Sequence, residues 1–485
     1  MFLDIYNRSL VGTWGFVPMS EAEVEHLAAG LQRLGVEKGQ RIGVLAQNSL
    51  EYFLIYGAAA ALGAIVLPIN WRLSTEEALF NLEDGSPTVL LADGVYQEML
   101  DADPSRLPSV RHRFTLAGDG RWPVMADIMK GDAAMEPVAV AAEDGLVIIH
   151  TAAVAGRPRG ALLSHANLLC ANLHWQCRLQ IGPSDVHLNL LPLFHVGGLF
   201  LAAGSFHAGA MNINMRKFDA AQAAALIENH RVTLLFDFSP ILGSILEIAD
   251  RDLTSLKSVT GLDTAETIEK FQQRTGGTFY AMYGQTETSC IATYGPYDER
   301  PGSAGRPIAL ADVRLVDDRD NPVPTGAVGE ITIKGPMVFK GYWNLPEDNA
   351  YTFRDGWHHT GDLGRFDEDG FLWYAGRKAE KELIKPGGEN VYPAEVEKAI
   401  LAHPAVAETV VFGVPDPKWK EGIKAVCVLE PGQTLTAADL IAFVGERIAR
   451  YKKPQYLEFV EVLPRTADGQ PDRARIKSLY GGTQS

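Results

Sequence analysis

The sequence predicts an α/β protein. It should have a large N-terminal domain of stacked α/β sheets with a β-rich subdomain, and a small α+β C-terminal domain. Three observations predict this. Over residues 21–125, and again over 145–280, helical stretches alternate with short apolar strands, the pattern of parallel sheet covered by helices. From residue 305 the texture becomes β-rich and punctuated by turns. Beyond a Gly- and Lys-rich stretch at 376–388, a final unit carries an alternating core of its own, which places the domains at 1–381 and 382–485.

Residues 21–34 read as a helix and 41–45 as a strand, followed by a helix over 51–62 and strands at 64–67 and 88–91. The run from Tyr52 to Ile69 is uncharged and just reaches membrane-spanning length. Gly63 and Pro68 divide it into an Ala-rich helix, a stop and a short strand, so no membrane span is expected. The second alternating block places strands at 146–150, 188–191, 233–236 and 278–280. The β-rich stretch gives 313–316, 329–334 and 371–374. The last unit reads as a helix over 394–402, strands at 406–414 and 423–429, and a helix over 437–450.

The 485 residues are 46% hydrophobic and 21% charged, ordinary values for a globular chain. Forty-four basic against 60 acidic side chains give a net charge of −16, which argues against nucleic acid and against anionic membranes as partners. An anionic ligand must then meet a local gathering of cations and backbone N–H groups. Four scattered cysteines, Cys170, Cys177, Cys290 and Cys427, read as buried thiols of a reducing compartment. Asp4 interrupts what would be the apolar part of a secretion signal, so a cytoplasmic location is expected.

Six motifs occur in a fixed order. Residues 151–160 with Leu163-Ser164-His165 come first, then Tyr283-Gly284-Gln285-Thr286-Glu287 and Thr360-Gly361-Asp362. Gly376-Arg377, Gly387-Gly388-Glu389-Asn390 and Pro464-Arg465-Thr466 follow. Together, over about 20–477, they resemble the adenylate-forming superfamily of acyl-CoA synthetases, peptide-synthetase adenylation domains and firefly-type luciferases. The run 387–393 leans towards acyl-CoA synthetases.

The resemblance implies an acid–CoA ligase that joins a hydrophobic carboxylate (fatty, alicyclic or aryl) to CoA through acyl-AMP, using ATP and Mg²⁺, as a monomer or homodimer. It implies that the C-terminal domain is mobile, rotating between the half-reactions about Glu382, although exposure alone would also explain that residue. It implies that Thr151, Gly156 and Gly160 cradle phosphates and that Arg159 stands in for the usual loop lysine. Tyr283 would stack on adenine within Gly284 and Gln285, Thr286 would bond the α-phosphate, and Glu287 would hold Mg²⁺, a hard cation that takes oxygen ligands. Asp362 would accept the ribose hydroxyls, with Arg377 beside it. Gly261, Leu262 and Asp263 would pack on the adenine edge, and Gly387 and Gly388 would serve the nucleotide from the C-terminal side. His195, Phe236 and Phe238 would line the acyl pocket; each reads equally as ordinary core.

Two departures stand out. In 151–160 three hydroxyls and one glycine of the family's phosphate loop are absent, and Ala153 and Val154 stiffen a segment expected to be mobile. Gln470 stands where the family has a catalytic lysine. Loss of one such preorganised donor costs roughly 3–4 kcal/mol, a factor of about 10²–10³. Nearby cations, Arg157, Arg159, Lys452, Lys453 and Arg473, are candidates to compensate. Two other functions therefore stay open: an enzyme that only transfers acyl groups from acyl-AMP to CoA, and a non-catalytic acyl- or nucleotide-binding relative.

Overall fold

The computed structural model describes residues 21–131, 134–154, 157–378, 383–386, 389–417, 419–466 and 470–482. These form two compact units. The first comprises 21–71, 81–150 and 160–376; the second comprises 72–80, 151–159 and the chain from 377 onward.

Two seven-stranded sheets dominate. One runs Gly341–Tyr342, Arg157–Ser164, Gly145–Val154, Ile65–Pro68, Arg41–Leu45, Val89–Ala92 and His112–Thr115, with parallel pairing from Gly145–Val154 onward. The other runs Arg306–Pro307, Thr293–Pro296, Thr278–Tyr283, Ser258–Leu262, Leu234–Phe238, Val186–Asn189 and Met211–Asn214. Its last five strands are parallel. The helices Leu50–Leu62, His165–Leu179 and Val196–His207 share one hydrophobic cluster with both sheets; the first and third are buried along most of their length and are apolar nearly all round, as such helices must be. A five-stranded sheet built on Gly329–Lys334 and Trp357–Phe366 completes the first unit. In the second unit, Val406–Asp416, Lys420–Leu429 and Tyr456–Phe459 make a three-stranded sheet covered by the helices Pro393–Leu401 and Ala437–Gly445.

The uncharged run from Tyr52 divides as expected. Ser49 caps the helix by accepting from Tyr52 N at 3.3 Å, and Gly63 ends it in the left-handed conformation at φ +65°. Among the described residues, no helix is long and apolar enough to cross a membrane.

Four expectations need correction. The strand placed at 188–191 lies at Val186–Asn189. Apolarity misplaced it, because the strand buries His187, whose Nδ1 pairs with Asn212 Oδ1 (2.8 Å), and Asn189, whose Nδ2 donates to Asn214 Oδ1 (3.0 Å), on the next strand. The helix placed over 437–450 stops at Gly445, a residue that lowers helix propensity, and a short 3₁₀ turn at Arg450–Lys452 follows. Cys177 is exposed, on the helix His165–Leu179, whereas the other three cysteines are buried. Finally, the segment expected to be a mobile loop carries strand up to Val154 and again from Arg157. That suits a stretch which has exchanged glycine and hydroxyls for Ala and a β-branched Val.

Candidate functional site

Three adjacent parallel strands of the first unit, Leu234–Phe238, Ser258–Leu262 and Thr278–Tyr283, end side by side. Ligands of open α/β sheets gather at such carboxyl ends. Here they present Phe238, Leu262 and Tyr283. Leu262 lies opposite Phe238 in the ladder and is 44% exposed, unusual for so apolar a side chain beside a core. Gly261 has φ +147°, and a Cβ on it would stand 1.8 Å from the carbonyl oxygen of Asp237, so only glycine lets these two strands pair. Asp263 follows immediately, before the helix Ala265–Thr275.

After Tyr283 the chain turns back sharply. Cys290 N donates to Gln285 O (2.9 Å) and Ala292 N to Tyr283 O (2.9 Å). A Cβ on Gly284 would lie 2.0 Å from Cys290 O, which is why this turn needs glycine. Thr286 and Glu287 open the 3₁₀ turn Thr286–Thr288.

Asp362 is the hub. It is 1% exposed, on the strand Trp357–Phe366, and its Oδ2 accepts from Tyr283 Oη (2.8 Å) and Gln285 Nε2 (2.5 Å). Gln285 Nε2 also donates to Thr360 O (3.2 Å), and Gln285 Oε1 meets His358 Nε2 at 3.4 Å. Behind these, Glu330 Oε1 accepts from Gly361 N at 2.9 Å, and Thr360 Oγ1 donates to Ile331 O at 2.6 Å. Two side-chain donors thus converge on one carboxylate oxygen, itself steadied by the backbone behind it. Tyr374, half exposed, stacks on Tyr283 with centroids 6.3 Å apart and planes 29° apart.

Glu287 is buried, and its Oε1 accepts from Tyr342 Oη at 2.8 Å. Among the described residues, no group of three or more His, Cys, Asp or Glu could hold a metal. A single oriented carboxylate nonetheless fits Mg²⁺, which is commonly held by one or two carboxylates together with substrate phosphates.

His195 directly precedes the helix Val196–His207, with its ring 4.7 Å from that of Phe194. Phe236 and Phe238 lie 5.2 Å apart by ring centroid, and Phe236 packs edge-on against Trp175. A Cβ on Gly197 would meet Leu191, Phe238 and Phe236 at 3.3, 3.5 and 3.7 Å, so the helix packs closely on the two phenylalanines at this position.

Gly160 also belongs to the first unit, where a Cβ on it would crowd Ile148 at 2.7 Å. In the second unit, Thr151 Oγ1 donates to Arg159 O at 3.3 Å, and Arg377 ends the strand Leu372–Arg377. Gly156, Glu382, Gly387 and Gly388 lie outside the described residues. Gln470 is exposed, and its carbonyl accepts from Thr466 N (2.8 Å) and Oγ1 (3.0 Å).

Two of the cations expected to compensate for Gln470 are otherwise engaged within the second unit. Lys452, 3% exposed, bonds both Glu77 and Glu395. Burial opposes its charge, but Tyr451, Glu395 and Glu77 hold its pKa well above the ordinary lysine value. Arg473 bonds Glu397 Oε1 and Val411 O, each at 2.8 Å. Sequence reasoning also missed Tyr342 and Tyr374. Neither sits in a glycine-rich or charged motif, so only tertiary packing reveals them.

The profile of the AMP-binding enzyme family matches residues 20–343, and that of the AMP-binding enzyme C-terminal domain matches 395–470. An indoleacetate–CoA ligase of Aromatoleum aromaticum is 36% identical over 471 residues, covering 94% of this chain and 91% of its own. A feruloyl-CoA synthase of Amycolatopsis sp is 32% identical over 468 residues, covering 94% and 92%. Among solved structures, an o-succinylbenzoate CoA synthetase from Bacillus subtilis, a double mutant bound with its product analogue, has a TM-score of 0.84 at 30% identity. It covers 94% of this chain and 92% of that one.

Proposed function

The chain belongs to the AMP-binding enzyme family, and from that premise we propose that it is an AMP-forming acid–CoA ligase acting on a hydrophobic, preferentially aryl, carboxylate. ATP and CoA are substrates of this enzyme class. A carboxylate oxygen attacks the α-phosphorus of ATP, the bond to pyrophosphate breaks, and acyl-AMP forms. The thiolate of CoA then attacks the acyl carbonyl, and AMP leaves.

The observation that carries the reading is the cradle of Asp362, Tyr283 and Gln285 at the carboxyl ends of three parallel strands. Asp362 accepts the ribose hydroxyls and Tyr283 stacks on adenine, with Gly261, Leu262 and Asp263 along its edge. Thr286 bonds the α-phosphate, and Glu287, steadied by Tyr342, holds Mg²⁺. When bound, that ion offsets phosphate charge. Thr151, Gly156, Arg159 and Gly160 bind the outer phosphates. Arg377, Gly387 and Gly388 serve the nucleotide from the C-terminal domain, which turns at Glu382 between half-reactions, with domains at 1–381 and 382–485. His195, Phe236 and Phe238 line the acyl pocket, and the names of the indoleacetate–CoA ligase and feruloyl-CoA synthase relatives support an aryl acid.

A second reading, an enzyme competent only in thioester formation, is favoured by Gln470 and by the engagement of Lys452 and Arg473 elsewhere. Acid-dependent pyrophosphate release from MgATP with a panel of aryl acids separates the two. Brisk release supports the full ligase. Silence, with thioester formed from synthetic acyl-AMP and CoA, supports the second reading, and Gln470→Lys is then expected to raise release by about 10²-fold. Silence in both assays overturns both.

A further inference from the structure

In the first unit, the helices Leu50–Leu62, His165–Leu179 and Val196–His207 line a cavity of about 110 Å³. Its wall is largely apolar, with Phe53, Tyr56, Leu168, Leu199, Ala203 and Phe206 among its side chains. It lies on a different face of the helix Val196–His207 from the two phenylalanines. Gly197 faces Phe236 and Phe238, whereas Leu199 faces the cavity. At about 100° per residue, these two positions lie some 200° apart around the helix.

Three polar side chains also line the cavity: His165, Asn172 and His207. Nε2 of His165, Oδ1 of Asn172 and Nδ1 of His207 are all buried, and none has a hydrogen-bond partner in the structure. Asn172 itself is 2% exposed. Buried polar atoms are nearly always satisfied, so three orphans around one hollow mark a place for a molecule that satisfies them. Burial lowers the pKa of both histidines below the ordinary imidazole value, so they are neutral at pH 7 and the lining carries no cation for a carboxylate. A cavity of about 150 Å³ accepts benzene, so this one suits at most a single ring.

We propose that this three-helix cavity is a binding site, separate from the catalytic one, for a neutral ring-sized molecule bearing a hydroxyl, of the phenol or cyclohexanol class. The hydroxyl donates to Asn172 Oδ1 and accepts from the imidazole N–H of His165 or His207, while the ring lies against the apolar wall.

The test titrates the full chain with phenol, benzene and benzoate by calorimetry and ligand-observed NMR. Wild type and three variants are compared: Ala203→Leu, which fills the cavity; Asn172→Leu, which removes the acceptor; and Gly197→Val, which crowds Leu191 and Phe238 on the opposite helix face. The expected result is saturable phenol binding that benzoate does not share, weakened at least tenfold by Ala203→Leu and unchanged by Gly197→Val. Asn172→Leu should reduce the preference for phenol over benzene, which reads the site even if Ala203→Leu folds poorly. Absence of saturable phenol binding means that water alone fills the cavity and overturns the proposal. Binding abolished by Gly197→Val but indifferent to Asn172→Leu and Ala203→Leu also overturns it. None of these outcomes depends on ligase activity.

Discussion

Asp362 gathers into one atom what two sequence motifs leave apart: its Oδ2 receives Tyr283 and Gln285 from a strand and turn nearly 80 residues earlier. If Asp362 accepts the ribose as proposed, Asp362→Ala is expected to lower pyrophosphate release and thioester formation together, by roughly 10²–10³, because both half-reactions hold the same ribose. An equal loss in the two assays, with an unchanged thermal midpoint, checks this. Tyr342→Phe separates orientation from charge. It removes the donor to Glu287 and keeps the ring, so activity should fall roughly tenfold while the Mg²⁺ concentration needed for half-maximal rate rises. The identity of Asp362 was legible because its Thr-Gly-Asp signature is local. Tyr342 was not, since its role depends on a contact 55 residues away in sequence.

Among the elements, the strand ends depend on glycines placed where backbones meet. At Gly261 a methyl group would collide with the carbonyl oxygen of Asp237 on the neighbouring strand, and the φ of +147° is itself closed to other residues. Gly261→Ala should therefore cost about 2–3 kcal/mol or more, read as a lower urea midpoint at constant m-value. The alternation of helices and strands was readable because period and apolarity coincide over most of both sheets. It failed at Val186–Asn189, where buried His187 and Asn189 break the apolar pattern and each bonds an asparagine on the neighbouring strand. In the segment 151–160, family likeness predicted a loop, whereas the local residues favour the strand that the backbone adopts to Val154.

For the whole molecule, pH dependence follows from buried imidazoles. His187 is fully buried and burial holds its pKa at about 4, although its bond to Asn212 opposes the shift. Above pH 6.5 it is neutral both folded and unfolded. As pH falls from 6.5 towards 4, the unfolded chain takes up the proton and the folded chain does not. Stability present above that window is therefore lost within it, by up to about 3 kcal/mol from this residue. His165, His174 and His207 are shifted in the same direction by burial. Urea midpoints at pH 7.5 and 5 should show the loss, and His187→Gln should make it smaller.

The sequence by itself determined the α/β class, the order of the motifs and the family they signal. Each of these resides in local periodicity or in short runs whose residue types the backbone requires. Only the tertiary structure decided which side chains meet: Tyr342 on Glu287, Tyr374 on Tyr283, Lys452 between two carboxylates, and three orphaned polar atoms around one cavity. Those pairings join residues that are remote along the chain. They arise from how helices and sheets pack, and no pattern confined to one segment can encode them.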